Sequence, residues 1–302
     1  MNALCIGDPI DYGNLGLGNQ LMTTMSNALL AYLFGRCLVV RSPLLRAAFD
    51  FPEFVHSSFP HGRSILELPV LNGRKHLITA LVRRDVSYHY QTRWWHAKNI
   101  LNKEITDHFN VTTVEKAMHA VGAVLFSSPS RVVSLQTNAL MKQHSLLTAV
   151  HLRTFADSKC PLPGRLTYGD CGQCVPKRTI RCIRTLAFGP AVIFGDNPTL
   201  VARVARDGDV NESSFFGRQT SKTLTVSTIK SGYELLDPVV IWNTLRLSKV
   251  RVGSSGSTFS KSAMLVSGIH TGDILVDLRC QKTFPSDGDL FACRSARWTD
   301  LV

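Results

Sequence analysis

Short apolar runs that alternate with stretches of helical period constrain this chain more than any other feature. In the second half the alternation repeats with clear punctuation. Leu147–Leu152 is a predicted strand ending at Arg153, and the Pro-, Gly- and Cys-rich stretch from Ala156 to Cys174 is a predicted loop. Pro176 then opens a helix that runs to Gly189. Ala191–Phe194 is a buried strand, Gly195 and Asp196 turn the chain, and Asn197 with Pro198 provide an N-cap and a helix-opening proline for a helix ending before Gly208. The same grammar returns as a cap at Asp237, a helix from Pro238 to about Leu247, a strand Val250–Gly253, a cap at Ser257, a helix to Val266 and a strand Ile274–Val276.

The first half opens with the apolar run Leu4–Ile6, followed by a loop carrying Asp8, Pro9, Gly13, Gly16 and Gly18. Leu21, Met25, Ala28, Leu29 and Tyr32 recur at helical spacing, Gly35 follows as a C-cap, and Cys37–Val40 reads as a buried strand. Irregular structure is expected from Phe49 to about Leu71, and mostly helix from Trp94 to Ala123. Strand–helix alternation implies an α/β fold with parallel sheets, whose ligands gather beyond the carboxyl ends of the strands.

A chain of 302 residues, 44% hydrophobic and 19% charged, can bury two cores, and we divide it into domains 1–145 and 146–302. No run reaches the roughly 18 apolar residues of a membrane span, and the opening residues lack a signal-peptide pattern. The net charge of +12 favours anionic partners. Its basic residues are scattered in short clusters without interleaved aromatics, which argues against nucleic acid. The eight cysteines include a CxxC at Cys171 and Cys174 with no second close pair, so disulfides are expected ahead of a metal site. Glycosylation triplets at Asn110 and Asn211 agree with a secretory compartment.

Three stretches carry candidate chemistry. Gly16-Leu17-Gly18-Asn19-Gln20 precedes a helix whose first N–H groups point outward, although Leu21 departs from the dinucleotide fingerprint. In His151-Leu152-Arg153, strand alternation sets His151 and Arg153 on one face, and an arginine leaving a strand end can grip a diphosphate through two parallel hydrogen bonds. The alternative for His151 is a satisfied core histidine. In Gly253-Ser254-Ser255-Gly256-Ser257-Thr258-Phe259, small residues let the backbone approach a phosphate at the start of the next helix. Asp196 is either a hydrogen-bond acceptor for a base or ribose, or a helix-start residue. Trp94 and Trp95 read as buried aromatics or a sugar-stacking pair.

At these residues the chain resembles the plant xyloglucan fucosyltransferase family, which uses GDP-fucose. The likeness lies in GLGNQLMTTMSNALLAYLFGRCLVV, in AVHLRTF and in GSSGSTFSKSAMLVSG, with a looser match in AAFDFPEFVHSSFP and in the cysteine-bearing tail with Cys280 and Cys293. It implies a GT-B fold of two Rossmann-like domains facing a central cleft, with 1–145 on the acceptor side and 146–302 binding the nucleotide sugar. It further implies inverting transfer to a polysaccharide or glycan hydroxyl without a metal ion or other cofactor, in the Golgi lumen, on an anchor upstream of these residues. A homodimer is an expected assembly. Carried over by motif, Arg153 would bind the donor phosphates, Ser257, Thr258 and Phe259 would hold them from the backbone side, and Gly18 and Asn19 would border the cleft. The chain has Gln20 where the family has arginine, and Ser260-Lys261 where an aromatic often follows. Asn243 stands near the place where related enzymes read guanine with an aspartate. The base that deprotonates the acceptor is His151, Asp157 or Asp11.

Overall fold

The computed structural model describes residues 4–7, 16–59, 64–68, 74–83, 85–90, 95–143, 148–153, 177–186, 191–195, 200–201, 204, 236–276, 278 and 293–301. Asp11, Trp94, Asp157, Asp196 and Asn211 lie outside them. In chain order the first half runs β1 (Cys5–Gly7), α1 (Leu17–Leu33), β2 (Cys37–Val39), α2 (Pro43–Ala48), β3 (Val55–His56), β4 (Ser64–Leu68), α3 (Arg74–Val82), β5 (Val86–Tyr90), α4 (Trp95–Phe109), α5 (Val114–Phe126) and α6 (Arg131–Gln143). The second half runs β6 (Thr148–Leu152), α7 (Lys177–Leu186), β7 (Ala191–Gly195), α8 (Asp237–Leu247), β8 (Val250–Ser254), α9 (Thr258–Ser267), β9 (Asp273–Val276) and β10 (Cys293–Ser295).

The strands form two five-stranded sheets, ordered β3-β2-β1-β5-β4 and β10-β9-β8-β6-β7. Every pairing is parallel except that of β10 with β9. The parallel strands of the second sheet are almost wholly buried, as expected where helices cover both faces. Between Phe49 and Leu71 the chain supplies β3 and β4 rather than irregular structure throughout. Strands this short carry little period of their own, and their state is set by pairing with β2 and β5.

The ends of elements follow from particular residues. Gly35 leaves α1 at φ +58°, a left-handed turn that suits glycine. Just after it, Arg36 extends its guanidinium to the carbonyls of Leu81, Arg83 and Val86 and so ties α1 to the end of α3. Asp237 stands in the first turn of α8 rather than at its cap, which is Leu236; there its charge still faces the positive end of the helix. In the second sheet, Arg251 and Asp273 are fully buried and joined by two hydrogen bonds of 2.6 and 2.5 Å. Arg251 also donates to Gly268 O (2.6 Å) and to Ser267 Oγ, while Asp273 accepts from the His270 N–H (2.8 Å). The pair therefore fixes the start of β8, the start of β9 and the end of α9 together.

The main core crosses from one half to the other. Leu21, Met25 and Leu29 of α1 join Phe126 of α5, Val133 of α6, Trp242 and Leu245 of α8 and Met264 of α9 in one buried cluster. Phe49 stacks edge-on against Phe126 (5.0 Å) and Trp242 (5.7 Å), so three elements distant in sequence share one aromatic contact. A second, smaller cluster underlies the second sheet, with Val150, Ile183, Ile193 and Val252. Among the described residues two disulfides are present, Cys5–Cys37 and Cys182–Cys293. The first joins residues directly opposite each other on β1 and β2, and the second joins α7 to β10. Among the described residues no helix is long and apolar enough to cross a membrane.

Candidate functional site

The carboxyl ends of β6 and β8 are neighbours in the second sheet, with His151 opposite Gly253 on one side and Phe194 on the other. Ser254, the last residue of β8, is buried, and its hydroxyl makes two bonds. It accepts the main-chain N–H of Arg153 at 2.7 Å and donates to the carbonyl of His151 at 3.1 Å. The backbone of Arg153 is thereby held beside the turn Ser255–Ser257 that leads into α9. Arg153 itself is half-buried.

His151 is 8% exposed and lies between two rings, with Phe259 at 4.7 Å and Phe194 at 5.3 Å. Its Nδ1 is 2.6 Å from Ser260 Oγ in the first turn of α9. Burial, helped by the field of Arg153, lowers its pKa to about 3, so the ring is neutral near pH 7. That is the satisfied interior histidine that the sequence left as one of two readings. The close seat of α9 on β8 also accounts for Gly253, where a Cβ would stand 2.5 Å from Ser260 Cβ.

The Gly18-Asn19 and Ser257–Phe259 motifs, 239 residues apart at Asn19 and Thr258, meet. A Cβ on Gly18 would stand 2.3 Å from the Phe259 nitrogen, so the first turn of α1 rests on the main chain of α9. Thr258 Oγ1 donates to Asn19 Oδ1 at 2.8 Å across the same contact. Neither helix is capped by a side chain. Gly16 has none to offer, and Ser257 occupies the cap position without making a capping bond. Two helix N-termini thus lie side by side with their first-turn amides not consumed by caps, which gathers positive potential next to Arg153.

Two other candidates stand elsewhere. Gln20 is 2% exposed and accepts from Ser42 Oγ at 2.8 Å, and Ser42 in turn accepts the Leu45 N–H at the start of α2. Asn243 is 1% exposed, with Nδ2 donating to Thr137 Oγ1 (3.1 Å) and Oδ1 accepting from Arg246 Nε (2.8 Å). Its amide is engaged in packing α8 against α6, between Thr137 and Arg246. Trp95 begins α4. Among the described residues no group of three or more His, Cys, Asp or Glu side chains could hold a metal ion. Sequence reasoning treated Ser254 and Ser260 only as members of a small-residue run or a departure from a motif. The available signal was a serine closing a strand directly before the Gly/Ser turn.

No protein-family model matches this chain, and no curated protein matches it in sequence. Solved structures do match in shape. A variant of Arabidopsis thaliana FUT1 in complex with GDP superposes with a TM-score of 0.61 at 13% identity, covering 91% of this chain and 70% of that one. The fucosyltransferase NodZ from Bradyrhizobium gives a TM-score of 0.55 at 15% identity, covering 94% of this chain and 97% of that one. A NodZ α-1,6-fucosyltransferase crystal soaked with GDP-fucose gives 0.53 at 16% identity, covering 94% and 98%. At such identities the likeness speaks for the fold: this chain is an α/β protein of GT-B architecture, two Rossmann-like halves about a central cleft, as in these fucosyltransferases.

Proposed function

We propose that this protein is a glycosyltransferase that moves fucose from GDP-fucose to a glycan or polysaccharide hydroxyl with inversion. The observation that carries the reading is the Arg153 N–H to Ser254 Oγ hydrogen bond, which seats a strand-end arginine beside an uncapped helix start. Departure of a nucleoside diphosphate builds negative charge on its phosphates, and a guanidinium with helix amides stabilises that charge without proton transfer. In this reading Arg153 grips the pyrophosphate, the main chain of Ser257, Thr258 and Phe259 faces it, and Gly18 and Asn19 border the space where donor and acceptor meet. Residues 1–145 form the acceptor side and 146–302 the donor side. His151, neutral and wedged between rings, supports the first turn of α9, which leaves the base to Asp157 or Asp11. Asp196 takes the ribose or base. Disulfides suit an oxidising lumen such as the Golgi, with a xyloglucan-like acceptor as the resemblance implies.

Because Asn243 is engaged in helix packing, guanine selectivity rests on other residues, and a different nucleotide sugar is the second reading. Calorimetric titration with GDP and UDP separates the two. GDP binding is expected, and Arg153→Ala should weaken it about tenfold to a hundredfold, the range of a charge-assisted pair. Binding of UDP in place of GDP would overturn the fucosyl assignment, and absence of any nucleotide binding would overturn the transferase.

A further inference from the structure

We infer that the hydroxyl of Ser254 is a positioning group for the donor site: it sets the register of Arg153 against the turn into α9. This rests on the reading of Arg153 as the diphosphate-binding residue.

The strand pairing shows why a hydroxyl is needed there. Regular β6–β8 pairing runs from Thr148 opposite Val250 to His151 opposite Gly253 and then stops. On its other side β6 continues one residue further, with Leu152 opposite Gly195. Arg153 therefore leaves the sheet at a point where the ladder to β8 has ended, and its main-chain N–H has to find another acceptor or be set by solvent. Ser254 Oγ supplies it at 2.7 Å and, through its own proton, takes the carbonyl of His151 at 3.1 Å. One side chain thus replaces the missing rung. Ser254 is 1% exposed, so the hydroxyl is withdrawn from water and the two bonds define its rotamer.

The same residue is tied to the helix start. The Ser254 carbonyl accepts the Ser257 N–H (2.9 Å), closing the turn that precedes α9, and the Ser255 N–H is taken by Val276 O (2.9 Å). Arg153 and the first turn of α9 are thus both referenced to Ser254, one through its side chain and the other through its main chain. Without the hydroxyl, the arginine keeps its charge but loses the bond that fixes its distance from the helix amides. A bidentate grip tolerates such looseness poorly.

The test uses the full chain with Ser254→Ala, Ser254→Thr, Ser254→Val, Arg153→Ala and the Arg153→Ala/Ser254→Ala double variant. Each is titrated with GDP and assayed with GDP-fucose for the donor KM, kcat and thermal midpoint. Ser254→Ala should weaken GDP binding and raise the donor KM about tenfold, as expected for one lost buried hydrogen bond. Ser254→Thr should stay within a few-fold of wild type, while Ser254→Val, of equal volume without the hydroxyl, should behave like Ala. If Ala costs the fold, the Thr and Val pair still isolates the hydroxyl. The double variant should bind GDP no more weakly than Arg153→Ala alone. Additive losses, equal behaviour of Thr and Val, or a lowered thermal midpoint with unchanged donor KM would overturn the inference while leaving the donor reading intact. If Arg153→Ala binds GDP like wild type, the donor reading itself falls and takes the inference with it.

Discussion

Single residues at the strand ends have little freedom to vary. Gly18 has no room for a Cβ, because the obstruction is the Phe259 main chain rather than a side chain that could swing away. Gly18→Ala should therefore destabilise the fold by about 1–3 kcal/mol; an unchanged urea midpoint would contradict the close approach. His151 gives a pH signature. Its folded pKa, about 3, lies below the ordinary value of 6.5, so its contribution is complete above pH 6.5 and declines as pH falls toward 3. Across that window the unfolded chain holds a proton the native one lacks, at about 1.4 kcal/mol per pH unit. His151→Phe should flatten this slope when unfolding is followed at pH 7, 6 and 5, and parallel slopes for the two proteins would refute it. The motifs of Gly18, Arg153 and Thr258 were legible in sequence because each combines an unusual residue with an element boundary. The engagement of Asn243 with Thr137 was not, since the two are 106 residues apart and nothing local joins them.

Elements were legible where punctuation was strong. The helix opened by Pro238 and the apolar strands of the second half emerge close to expectation, because proline and the residues at strand ends act through backbone geometry alone, whereas the expected side-chain caps at Asp237 and Ser257 do not form. β3, β4, β5 and β10 were not foreseen; they are short, and pairing partners decide them. The buried pair Arg251–Asp273 was also invisible, since an arginine inside an apolar strand looks like an interruption until its partner 22 residues on is in place. Removing one member strands a charge in the interior. Asp273→Ala should cost about 3–5 kcal/mol, and Arg251→Met/Asp273→Leu should recover most of it. Chemical denaturation of the three proteins checks this, and a double variant as weak as the single one would argue that the pair itself is indispensable.

At the scale of the molecule, among the described residues each half carries a disulfide of its own, and the main core runs across both halves. Cys182–Cys293 closes 111 residues of sequence and joins the late strand β10 to α7. Opening it with Cys182→Ser should lower stability by about 2–4 kcal/mol. A reductant should lower the thermal midpoint of wild type by more than that of the variant, and equal shifts would mean the bond does not form in solution. Asn110 is exposed at the end of α4 with φ +50°, so its glycosylation triplet is accessible. Expression through a secretory pathway should add a glycan, seen by mass and lost in Asn110→Gln. Disulfides are expected from sequence as a class, but their pairing depends on which elements become neighbours, β1 with β2 and α7 with β10.

The meeting of α1 with α9 bears on how such a molecule can move. A glycine seated on another helix's peptide, with a threonine–asparagine bond beside it, leaves no slack for sliding. The contact sits within the core that the two halves share, so a displacement of one half against the other has to carry it along intact, like a peg that moves with both boards it joins.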